Sequence, residues 1–123
     1  VSNPAFDLSK RPTTLEQKFI EFFNRYNFPY KYTGNGSYLI GSKNPDFINS
    51  NGEKVCIDVR CSEVTKFLGK MEPQEYENQR IEYFAKYGWR CFVFILSSKG
   101  GKFNLNEQEI LRKLNDYSLV INK

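Results

Sequence analysis

Four acidic residues, Glu16, Asp46, Asp58 and Glu77, stand where an acid that merely meets solvent is unexpected. Asp46 follows Pro45, where turn formation alone is an adequate explanation. Asp58 lies between Ile57 and Val59, and aspartate is disfavoured inside such a strand. The two flank the turn Asn49-Ser50-Asn51-Gly52, so the hairpin register decides whether they meet. A three-residue loop, Ser50-Asn51-Gly52 with Gly52 left-handed, pairs Asp46 with Cys56 and puts Asp46, Cys56, Asp58 and Arg60 on one face. A two-residue Asn51-Gly52 loop instead pairs Asp46 with Ile57 and separates the aspartates. Clustered carboxylates repel one another unless a cation sits among them, and hard oxygen ligands select Mg2+, Mn2+ or Ca2+. Such an ion beside a phosphodiester activates water, neutralises charge on phosphorus and stabilises the leaving oxygen. With 0 histidines in the chain, catalysis would have to run on carboxylate, Lys, Tyr, Ser or Cys side chains.

Glu16 and Glu77 repeat one geometry on two predicted helices. Advancing about 100° per residue from Leu15, Phe22 falls near about −20°, Ile20 near about 140° and Glu16 near about 100°, inside the apolar arc. Thr13 or Thr14, with Glu16 or Gln17 three residues later, reads equally well as a capping box. From Tyr76, Tyr83 falls near about −20°, Glu77 near about 100° and Arg80 near about 40°. A structural Glu77–Arg80 pair accounts for that pattern. An inward acid without a partner or a metal would be costly.

The elements that must position these residues follow from periodicity and breakers. Leu15, Phe19, Phe22, Phe23 and Tyr26 predict a helix over 14–26. FPYKY and SYLIG read as two short strands joined at Gly34-Asn35-Gly36, and NPDFI and EKVCIDVR as a second hairpin. Residues 61–72 are irregular and polar. Pro73 opens a helix with Glu72 near its cap, and Gly88 ends it. RCFVFIL (90–96) suits a central strand buried on both faces, and 105–117 a last amphipathic helix. The order α-β-β-β-α-β-α predicts an α/β fold of the α+β type, a mixed sheet of about four strands flanked by helices.

A chain of 123 residues suits one domain, over 13–123, with residues 1–12 as a linker or arm. Aromatics at 16% let so small a domain bury a real core. Three cysteines, an odd count without a C-x-x-C pair, argue against a disulfide framework or a zinc site. Cys56 and Cys91 are expected as small buried hydrophobes in a reducing cytoplasm. No run is long and apolar enough to predict a membrane span. A net charge of +4 permits a polyanionic partner without demanding one. The start at Val1 suggests a piece of a longer protein.

The segment NPDFINSNGEKVCIDVR resembles the hairpin of PD-(D/E)xK nucleases, with Pro45-Asp46 as the Pro-Asp and Asp58-Val59-Arg60 as the acid-x-basic tripeptide. YENQRIEYFAKYGWRCFVF (76–94) is similar to the helix-strand unit after the site in very short patch repair endonucleases and related phage homing endonucleases. An acid on the first helix recurs in that branch, and Glu16 fits it. The resemblance spans about residues 13–96. It implies a restriction-endonuclease-like catalytic domain that hydrolyses double-stranded DNA with Mg2+ or Mn2+. On it, Asp46 holds the metal, Asp58 shares that metal or lies just outside its shell, and Glu16 and Glu77 complete the acidic site or orient water. Arg60 replaces the usual lysine, and Lys54, Arg60, Lys66, Lys70 and Arg80 are the expected phosphate contacts. It further implies a separate DNA-recognition domain, and a homodimer would be one route to cutting both strands. Relatives carry a functional histidine soon after the third strand, where this chain has SEVTK, so Glu63, Thr65 or Lys66 would substitute. Arginine clamps phosphate through its two-pronged fork but, with a pKa above about 12, is a poor general base. A nucleic-acid-binding domain with a weakened site is the alternative reading.

Overall fold

The computed structural model describes residues 12–121; the expected arm lies outside them apart from Pro12. Thr13 caps the first helix, α1 (Thr14–Arg25), by accepting from the Glu16 N–H at 3.2 Å, while the Glu16 carboxylate accepts from the Thr13 N–H at 2.8 Å. This reciprocal box satisfies two backbone donors that a helix start leaves open. Leu15, Phe19, Phe22 and Phe23 form the buried stripe of the helix.

Strands β1 (Tyr30–Tyr32), β2 (Phe47–Asn49), β3 (Val55–Cys61) and β4 (Arg90–Leu96) form one sheet in the order β1-β2-β3-β4. β1–β2 and β2–β3 are antiparallel, and β3–β4 is parallel. The parallel step is bridged by a π-helical turn (Val64–Leu68) and helix α2 (Pro73–Ala85), which carries Pro73 in its first turn. Helix α3 (Glu107–Ile121) closes the chain. Alternation along β3 sorts the core. Val55, Ile57 and Val59 pack with Phe47, Phe92 and Phe94 against α1 and against Ile110 and Leu114 of α3. Cys56 packs with Ile48, Cys91 and Val93 against Phe84 of α2. Cys56 and Cys91 are buried free thiols.

The mixed four-stranded sheet and the element order agree with the sequence reading, and three details differ. SYLIG forms no strand; β1 pairs with β2 instead, and residues 33–46 make a long connection. The Asn44 amide holds this connection, donating to the carbonyls of Thr33 (2.6 Å) and Tyr38 (2.7 Å) and accepting from Gly36 N–H at 3.2 Å. β4 is an edge strand, not a central one; α2 and α3 cover its two faces, and Lys113 Nζ donates to the edge carbonyl of Val93 at 3.2 Å. The segment after β3, read as irregular, contains the π-helical turn.

Candidate functional site

The register of the β2–β3 hairpin pairs Phe47 with Ile57 and Ile48 with Cys56. One step further along the same ladder, Asp46 faces Asp58. Neither expected loop gives this register. It differs by two residues from the three-residue loop, and a two-residue shift keeps every side chain on its face. Two bonds lock the pair: Asp46 N–H donates to Asp58 Oδ1 at 3.2 Å, and Val59 N–H donates to Asp46 Oδ2 at 2.8 Å.

Glu16 reaches the same place from α1. Its Oε1 accepts from the Thr13 N–H and from the Tyr32 hydroxyl at 3.1 Å, and its charge lies close enough to Asp46 to act on that carboxyl group. Glu16 thus caps α1 and lines the same hollow as Asp46. Burial lifts the Asp46 carboxyl well above its ordinary range, and the charge of Asp58 and then that of Glu16 add to the effect, against the Val59 N–H, which stabilises the ionised form. Burial, followed by the Glu16 charge, likewise raises the Tyr32 hydroxyl, which stays a donor to Glu16 at neutral pH.

Glu16 and Asp46 open into a hollow of about 660 Å3 that Arg60, Tyr76 and Arg80 also line. Asp58 lies behind it, 1% exposed. Its Oδ2 accepts from Arg80 Nε, so both of its oxygens are engaged within the protein. Arg80 thus pairs with Asp58 rather than with Glu77, and Asp58 clamps the hairpin to α2 instead of offering open oxygens to a metal. Arg60 donates from Nε to Thr65 Oγ1 at 3.2 Å and lies over the Tyr76 ring at 4.8 Å. Burial, with the Asp58 charge adding, pushes the Tyr76 hydroxyl up to about 12. Tyr76 is therefore a neutral stacking platform at neutral pH.

The other expected residues scatter. Glu77 faces a separate hollow of about 460 Å3 beside the β4 edge, with Lys113 Nζ at 3.8 Å; the structure does not bring it to Asp46. Lys54 precedes β3 at the end opposite Arg60, close to Gly88. Lys66 and Lys70 are exposed in and after the π-helical turn. Of the residues weighed as stand-ins for histidine, Glu63 is drawn down to about 2 by the Cys61 thiol, the Ser62 hydroxyl and backbone N–H groups, and it ties β3 to the Ser98 N–H at 2.9 Å. Thr65 is buried and orients Arg60. Sequence reasoning did not single out Tyr32, which holds Glu16, or Tyr76, which lines the hollow. Tyr76 had been assigned to an apolar stripe, and a tyrosine there carries no separate polar signal.

Among the described residues, no three His, Cys, Asp or Glu side chains are grouped to hold a metal ion. Mg2+, however, commonly binds through one or two carboxylates and completes its shell with water and substrate oxygens. Glu16 and Asp46, an all-oxygen pair held together against their mutual repulsion, fit that requirement. Comparison of the chain with family models, with curated proteins and with solved structures finds no match.

Proposed function

We propose that the domain is a divalent-cation-dependent phosphodiester hydrolase acting on double-stranded DNA, of PD-(D/E)xK type. The observation that carries this reading is that Glu16, Asp46 and Arg60 line one hollow, with the Glu16 charge acting on Asp46. A bound Mg2+ would supply water activation and charge neutralisation at phosphorus. Glu16 and Asp46 would hold it, with Thr13, Tyr32 and the Val59 N–H fixing their carboxylates. Arg60, pinned by Thr65 and stacked on Tyr76, would place its guanidinium against the phosphate oxygens. In the hydrolysis, a water oxygen bonds to phosphorus as one ester oxygen leaves and takes up a proton.

The locking of Asp58 by Arg80, together with arginine at position 60, favours a second reading: a domain that holds DNA while its chemistry is weakened. Supercoiled plasmid separates the two. The hydrolase reading expects nicking that requires Mg2+ or Mn2+ and stops when the metal is chelated. Retention of plasmid without any nicking in either metal would favour the second reading and reject the first.

A further inference from the structure

Beside the acid-lined hollow lies a second, smaller one, whose part in the proposed chemistry is limited to the Arg60 that the two share. It encloses about 200 Å3 and is lined by Lys43, Arg60, Thr65, Tyr76, Gln79 and Arg80, together with Gly69 and Met71. Three of its residues are basic and none is acidic. The volume is below the roughly 300 Å3 at which pockets for drug-sized ligands begin, so the space suits a small ion or one group of a larger ligand.

Its charge is only partly satisfied from within. Arg80 is neutralised by Asp58. Arg60 has the Thr65 hydroxyl and the Tyr76 ring as its partners, and Lys43 the Tyr83 ring at 5.2 Å; among the described residues, no carboxylate pairs with either cation. Thr65, 1% exposed, donates its hydroxyl hydrogen bond to the Cys61 carbonyl at 3.1 Å and so keeps its oxygen's lone pairs for Arg60 Nε. Arg60 is therefore held from behind, and among the described residues the outer nitrogens of its fork have no hydrogen-bond partner, as two-pronged recognition of a phosphate requires. The two hollows share Arg60, Tyr76 and Arg80 as a common wall.

We infer that this basic hollow seats a phosphate group, and that in the protein's substrate this is the backbone phosphate next to the one at Glu16 and Asp46. The second half of this assignment rests on the hydrolase reading; the first half does not. A strand crossing the shared wall would place one phosphate in each hollow. The acid side would hold the reacting phosphate through a cation, and the basic side would fix the register of the strand.

The test has two arms. In the first, metal-free protein is titrated with inorganic phosphate and followed by 1H–15N NMR. Saturable shifts are expected at the Gly69 and Met71 amides and at Arg60 Nε. Arg60→Gln and Lys43→Gln should each weaken binding at least about tenfold, the scale of one charge-assisted hydrogen bond. Lys43 is exposed, so its variant keeps the fold. Asp46→Asn should bind phosphate at least as well as the wild type. No saturable shift in the wild type, or unchanged affinity in both basic variants, would overturn the assignment. In the second arm, DNA carrying a single uncharged methylphosphonate on either side of the cut is offered to the wild type and to Arg60→Gln. At one of the two positions the wild type should slow at least about tenfold, and the variant should slow little further. Equal cleavage of all substrates would make the hollow a seat for free phosphate and overturn the strand assignment. If the wild type cleaves no DNA, the hydrolase reading fails by itself, and the titration still decides whether the hollow takes phosphate.

Discussion

Asp46→Asn is expected to stabilise the metal-free protein at neutral pH and to remove its activity. Burial, the Asp58 charge and the Glu16 charge all raise the folded-state pKa of Asp46 above its ordinary value of 3.8. A carboxyl group raised in this way favours folding fully only below the unfolded value, and that contribution is lost as pH climbs through the folded value. Above the unfolded value, holding this carboxyl group in its native place therefore opposes folding. Asparagine keeps an oxygen to accept from the Val59 N–H and carries no charge. The wild-type melting temperature should thus fall relative to the variant's as pH rises from acid to neutral, with the variant the more stable at the upper end. DNA cleavage by the variant should drop at least about a hundredfold, the scale seen when the holding of a catalytic metal is disturbed. Stability traded against activity at one residue marks a site built for a ligand. A variant that melts below the wild type at neutral pH, or that still cleaves, would contradict the assignment.

Asp58→Ala should have the largest effect on folding. Asp58 is 1% exposed and is the ionic partner of Arg80, whose side chain is only 16% exposed. Removing the acid leaves a buried guanidinium without a counter-charge and takes away the acceptor of the Asp46 N–H. Breaking one half of a buried pair costs about 3–5 kcal/mol, a large part of the roughly 5–15 kcal/mol that holds a typical domain together. Urea denaturation should show the midpoint falling at an unchanged slope. Arg80→Met on the Asp58→Ala background should recover much of the loss, because the uncompensated charge is gone. A double variant as unstable as Asp58→Ala alone would show that the pair is not the source of the effect.

Hairpin parity was the most legible part of the site. The alternation of Val55, Ile57 and Val59 with Cys56, Asp58 and Arg60 fixes which side chains share a face, and the structure keeps it. The register was less legible because a side chain closes the turn. Asn49 Oδ1 accepts from the N–H groups of Asn51 (2.7 Å) and Glu53 (3.2 Å), which supports a connection over 50–54 longer than loop-type rules supply. In the same way, the Asn44 amide meets backbone groups around SYLIG that a strand ladder would otherwise satisfy. The helical wheel placed Glu77 and Arg80 on one inward arc, and along the helix that arc serves two different hollows. Arg80 meets Asp58, and Glu77 meets Lys113 at the β4 edge. A wheel gives an angle about the helix axis and says nothing of what the sheet presents at each height. Glu16 was legible twice over, since a capping glutamate is also an anchored one.

Mn2+ binding followed by calorimetry tests most directly whether Glu16 and Asp46 form a cation site. The wild type should bind at a single site, with affinity rising as pH rises because Asp46 must lose its proton to act as a ligand. Glu16→Gln and Asp46→Asn should each weaken binding at least about tenfold. Wild-type protein that takes up no Mn2+ at any pH where it is folded, or affinity that survives the loss of either acid, would contradict the account.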